Sequence, residues 1–179
     1  MLQKLKGKKQ VISWAMYDWA NSAFSTTRMV GFFPRLYKKY WNVGIGPEIS
    51  TARLGTILSV SSLLIAILSP TLGVLADLKS YKKRLNNLFM VIGVLGCVWL
   101  YFIPQGEWLQ ASFAFGISMF AFSASAIFYD ALLPYVAKGK DMDWASSLGF
   151  SLGYLGGGIL FALNVWMYLS PATFFLSDQ

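Results

Sequence analysis

The sequence predicts an all-α integral membrane protein with about five transmembrane helices, and three observations carry that prediction. Of its 179 residues, 56% are hydrophobic and 13% are charged, whereas an ordinary soluble domain carries about 25% charge. The apolar residues gather into segments of roughly the ~20 residues needed to cross ~30 Å of hydrocarbon. The basic residues, source of a net charge of +7, cluster between those segments. That is the pattern of membrane loops rather than of a nucleic-acid surface.

The elements follow in order. Residues 1–12 are a basic N-terminus. Their lysines look like the start of a signal peptide, but the next segment contains Asp18, outruns a typical apolar core and lacks an A-x-A site. It reads as an uncleaved first membrane helix. That helix is expected over about residues 13–36, and Gly44-Ile45-Gly46-Pro47 marks the loop after it. A second helix is expected over 54–76 and a third over 85–103, stopped by Pro104. A fourth covers 108–133, before Pro134, and a fifth covers 147–169, stopped by Ser170-Pro171. Residues 170–179 form a short tail. Residues 13–169 thus read as one partial helical bundle.

Orientation follows from lysine and arginine in the loops. Lys4, Lys6, Lys8, Lys9, Lys79, Lys82, Lys83, Arg84, Lys138 and Lys140 fall on one side; Arg35, Lys38, Lys39 and Arg53 fall on the other. The richer side is expected to be cytoplasmic, so the N-terminus faces the cytoplasm of a cell membrane. Tyr40, Trp41, Trp108 and Trp144 fall near the expected interfaces.

Within the first helix, Asp18, Asn21, Ser22, Ser25 and Arg28 fall on about one third of the circumference at ~100° per residue. The opposite face carries Met16, Ala20, Ala23 and Phe24. A charge near the bilayer centre costs ~2.5–3.5 kcal/mol even on insertion scales. The stripe therefore faces other helices or water. It reads either as the wall of a solute pathway or as a packing surface with Asp18 near the cytoplasmic interface. Asp18 and Arg28 are about 15 Å apart along the axis, too far to pair directly. Arg28 is expected to meet a substrate anion or another helix, or to reach outward along its own stem.

Gly73 and Asp77, followed by Lys82, Lys83 and Arg84, form a glycine, an aspartate four residues on, and a basic cluster. Gly73 would permit close helix approach, and Asp77 could cap a helix or pair with the loop cations. Such contacts can act as a cytoplasmic latch, which Asp130 either joins or leaves to serve as a cap. The alternative is an ordinary positive-inside loop. In the fifth helix, Gly149, Gly153 and Gly157 recur every fourth residue. They make a flat strip for another helix, or a hinge.

Several function classes are excluded or weakened. There is no histidine, so histidine catalysis and histidine metal sites are out. The single cysteine, Cys97, permits no disulfide within the chain. It reads as a packing residue. No nucleophile elbow or paired carboxylate is visible, so no enzyme, metal or cofactor is expected.

The loop residues Gly73, Asp77, Lys82, Lys83 and Arg84 resemble the cytoplasmic loop signature of the major facilitator superfamily, except that Ser80-Tyr81 stand where that signature has a glycine. The stretches SWAMYDWANSAFSTT (13–27), SPTLGVLAD (69–77), FYDALLPYVA (128–137) and SSLGFSLGYLGGGILFALN (146–164) resemble bacterial relatives of the vacuolar amino-acid effluxers linked to autophagy, a branch of that superfamily. Arg28 departs from that pattern. The resemblance implies two six-helix halves with solute passing between them by alternating access. By that measure these five helices form part of an N-terminal bundle. The expected function is the N-terminal portion of a secondary transporter for a small polar solute, with amino acids as the candidate class. The alternative is a truncated, non-transporting protein or accessory subunit that needs a separate C-terminal half. Expected partners are the lipid bilayer, the solute and that missing or separately encoded half; nucleic acid is not among them.

Overall fold

A computed structural model describes residues 2–23, 25–26, 31–77 and 81–174, and the described residues contain helices and turns without a strand. The long helices are α1 (Leu2–Ala23), α3 (Pro47–Asp77), α4 (Lys82–Phe102), α5 (Trp108–Asp130) and α7 (Lys140–Leu169). Short elements join them: α2 (Phe33–Leu36), a π-helical turn (Tyr37–Trp41), α6 (Leu133–Val136) and a terminal 3-10 turn (Pro171–Phe174). Among the described residues, Pro47–Asp77, Lys82–Phe102, Trp108–Val136 and Asp141–Leu169 are long and apolar enough to cross a membrane. The first expected span, 13–36, includes Phe24 and residues 27–30, which lie outside the described residues.

Three helices begin earlier than the apolar segments suggest. α1 starts at Leu2 rather than near Ser13, α3 at Pro47 rather than Leu54, and α7 at Lys140 rather than Ser147. The added turns are polar but helix-compatible. Pro47 occupies the first position of α3 with Glu48 in the first turn, and Asp141 and Asp143 lie in the first turn of α7. Proline costs nothing at a helix start, and acids there meet the positive end of the helix dipole. With 31 and 30 residues, α3 and α7 are each about 45 Å long, well beyond the ~30 Å hydrocarbon core.

Pro70 lies inside α3 without ending it. A proline lacks the N–H that would bond the carbonyl four residues back. The Ser69 hydroxyl donates to that same carbonyl, Ala66 O, at 3.1 Å. The neighbouring hydroxyl thus supplies the missing bond, as membrane helices require.

The chain divides into two compact units, Met1–Pro34 with Leu133–Gln179, and Arg35–Leu132. In the first unit α1 packs along α7, and Val11, Ala137 and Ala145 are buried among Leu133, Val136, Met142 and Leu148. In the second, α5 packs against both α3 and α4. Its buried face is mostly small: Ala111, Ala114, Ser118, Ala121, Ala124 and Ser125. Gly96 of α4 sits directly under Ser118, where a methyl group would also lie 3.1 Å from Ala114 O. Small residues let helix backbones approach in lipid, where the hydrophobic effect does not drive them together. Buried Ser125 also donates to Asn86 Oδ1 at 3.0 Å, and Phe89 stacks on Phe128 with centroids 5.8 Å apart.

Candidate functional site

The polar stripe of α1 and the glycine strip of α7 meet in one interface within the first unit. A methyl group on Gly149 would lie 2.6 Å from Trp14 Cζ3. One on Gly153 would lie 2.5 Å from Asp18 Oδ2 and 2.8 Å from Ser22 Oγ. One on Gly157 would lie 2.5 Å from Thr26 Oγ1 and 3.1 Å from Ser22 O. Contacts advance by four residues on both helices in the same direction, so α1 and α7 run parallel here. Each glycine makes room for a bulkier residue of α1 or of the turn after it: Trp14 at Gly149, Asp18 and Ser22 at Gly153, and Thr26 at Gly157.

This arrangement divides the stripe. Asp18 and Ser22 lie in the contact face. At ~100° per residue, Asn21 falls at the edge of that face, beside Trp14, and Ser25 falls between Trp14 and Asp18. All four are half-buried. The Ser25 hydroxyl donates back to Ser22 O at 3.1 Å. Arg28 lies outside the described residues. Gly156, which the every-fourth spacing passes over, is equally confined: a methyl group would lie 2.7 Å from Trp19 O. The preceding Tyr154-Leu155 gives no hint of this, because the constraint comes from Trp19 on another helix. A methyl group on Gly158 would meet nothing within 4 Å among the described residues.

The second candidate region lies in the other unit, where Ala76, Leu85, Phe128 and Ala131, neighbours in sequence of Asp77, Arg84 and Asp130, share one apolar cluster. A methyl group on Gly73 would meet nothing within 4 Å among the described residues. Asp77, Lys83, Arg84 and Asp130 are exposed. Lys82 is 5% exposed, and its Nζ donates to Ala131 O at 3.4 Å. It ties the start of α4 to the end of α5 and places a cation at a helix C-terminus, where the dipole favours it. By sequence alone it looks like one more loop cation.

A third polar assembly, also in this unit, has no counterpart among the sequence expectations. Asn42 is 2% exposed, donates through Nδ2 to Tyr37 O at 2.9 Å and accepts from Arg53 Nη1 at 2.7 Å. The Arg53 guanidinium lies 3.7 Å over the Trp108 ring. The buried Tyr37 hydroxyl meets Ser112 Oγ at 2.7 Å. Trp41 is buried too, its indole N–H donating to Ile103 O at 3.3 Å, so it serves packing rather than an interfacial belt. Gly106, at φ +87°, turns the chain between α4 and α5 and donates to Tyr40 O at 3.1 Å. Asn42 and Arg53 carry only the signal of a polar loop next to an apolar run.

Long apolar helices, small-residue contacts and polar side chains gathered between helices define a multi-pass helical membrane protein. A family model described as "Vacuole effluxer Atg22 like" matches residues 46–143. The "Uncharacterized MFS-type transporter YxiO" of Bacillus subtilis (strain 168) is 38% identical over 162 residues, covering 90% of this chain and 38% of that protein. The chain belongs to the Atg22-like family of major-facilitator-type transporters. It spans 38% of the length of that relative. The α1 stripe and the α7 glycines lie outside the span matched by the family model. No solved structure matches the chain.

Proposed function

We propose that the chain is the N-terminal portion of a secondary transporter that moves a small polar solute by alternating access, with amino acids as the candidate class. The observation that carries this reading is the seating of Asp18 and Ser22 on Gly153, with the half-buried Asn21 and Ser25 beside them on the same polar stripe. An ionisable residue within an expected membrane span, here 13–36, is a functional-site hypothesis by default, because lipid strongly disfavours it. The effluxer description of the family and the transporter relative support the same direction. In this reading Asn21 and Ser25, and Arg28 beside them on the helical wheel, line the solute route. Asp18 and Ser22 join the route to the α1/α7 contact. Gly73, Asp77, Lys82, Lys83, Arg84 and Asp130 form the cytoplasmic gate region, with Lys82 as its buried anchor. Rocking requires a second bundle, so the partner in the cycle is a C-terminal half, on the same polypeptide or made separately. The protein sits in the cell membrane with its N-terminus in the cytoplasm.

The test is Asp18→Asn in the complete transporter, comparing solute flux with the amount of folded protein. Flux is expected to fall about tenfold or more, the loss of one charge-assisted contact, while accumulation stays close to wild type. Unchanged flux with failed accumulation would make Asp18 structural and remove it from the route.

A further inference from the structure

The trough between α3 and α5 has no part in the proposed solute route, and its chemistry differs from that of the α1 stripe. The two helices start at the same end of their unit, where Arg53 lies over Trp108. They touch where Ser61 Oγ donates to Gly116 O at 3.4 Å. Around that contact they leave a cavity of about 600 Å³, whose walls include Val60, Leu64, Leu68, Phe113 and Ile117. These five walls are the side chains a hydrocarbon would touch.

The hydroxyls along the trough are already satisfied. Thr56 donates to Ala52 O at 2.9 Å, Ser61 to Gly116 O, and Ser112 to Trp108 O at 2.7 Å. A polar solute would lose its water there and gain little in return. The exception is Arg53, at one end. A guanidinium has five N–H donors, and among the described residues one of Arg53's goes to Asn42 Oδ1. Its guanidinium carbon is held 3.7 Å over the Trp108 ring at the end of the trough, and a guanidinium is suited to take a phosphate in paired geometry. From Arg53 to Leu68 the trough runs about 22 Å at 1.5 Å per residue, more than the ~15 Å of one leaflet.

We propose that the α3/α5 trough binds one acyl chain of an anionic phospholipid, with the lipid phosphate held at Arg53. An apolar channel with satisfied hydroxyls and one cation at its mouth matches a ligand that is apolar along its length and anionic at its end. The site is independent of which solute the transporter carries.

The experiment is native mass spectrometry of the full chain, stripped of lipid in detergent and titrated with phosphatidylglycerol or phosphatidylcholine bearing identical acyl chains. Wild type is expected to hold phosphatidylglycerol about tenfold more tightly. Arg53→Gln should abolish that preference. Because Arg53 also bonds Asn42, a second variant, Val60→Trp, fills the trough at an exposed position and leaves the Arg53 contacts in place; it should lose the bound lipid. The proposal is overturned if wild type holds the two lipids equally, if Val60→Trp keeps phosphatidylglycerol as wild type does, or if a second copy of the chain occupies the trough in place of lipid.

Discussion

Ser69 stands one residue before Pro70 and donates to the carbonyl that the proline leaves without a backbone partner. Its removal is expected to cost about 0.5–1.5 kcal/mol, so Ser69→Ala should lower the unfolding midpoint in detergent while Ser69→Thr retains it. Equal midpoints for all three proteins would show that the freed carbonyl is satisfied otherwise. Lys82 offers a similar contrast with its neighbour. Lys82→Ala gives up a buried contact to Ala131 O and should destabilise by about 1–2 kcal/mol. Lys83→Ala, at an exposed site, should stay within about 0.5 kcal/mol. On α1, Asn21 lies at the edge of the packing face rather than within it. Asn21→Ala is therefore expected to reduce flux in the complete transporter with little change in unfolding midpoint. A shift in midpoint without a change in flux would assign Asn21 to packing.

At the scale of elements, the α1/α7 pair is held close by glycines that have different neighbours despite their shared sequence context. Gly156 and Gly158 are two residues apart in the same run. A methyl group at Gly156 would lie 2.7 Å from the backbone oxygen of Trp19, whereas one at Gly158 would meet nothing within 4 Å among the described residues. Backbone cannot swing aside as a flexible side chain can, so Gly156→Ala is expected to cost about 1–3 kcal/mol. Gly158→Ala should be neutral or stabilising by up to about 1 kcal/mol, because alanine is the better helix former. Thermal unfolding of both variants in one detergent checks this, and similar losses for the two would sink the proposed register of the pair. Gly153 sits under two polar side chains. The contact that packs α1 on α7 thus also sets the position of Asp18, so helix packing and the candidate route are mechanically linked.

For the whole molecule, the loop charges set an orientation that can be read in intact cells. In a Cys97→Ser background, Val43→Cys is expected to react with a membrane-impermeant maleimide, and Lys8→Cys only after lysis. Both positions are exposed. The reverse pattern would invert the proposed topology. The positive-inside effect has a stated physical basis in loop lysines and arginines, so this prediction rests on charge alone.

The all-α membrane class and the family were legible in the sequence. Lipid demands long apolar runs with internally bonded backbones, and that demand is written residue by residue along the chain. The polar stripe and the glycine strip were legible as separate patterns, because each repeats with the period of one helix. The early starts of α1, α3 and α7 were not, since apolar runs report the span inside hydrocarbon and not the polar helical turns beyond it. Only the tertiary structure decided that Asp18 rests on Gly153, that Gly156 is confined by Trp19, that Lys82 is buried against Ala131, and that Arg53 stacks on Trp108 beside Asn42. Each of these joins residues distant in sequence. A local period states which face a helix offers, but the neighbour that covers that face is set by packing between helices.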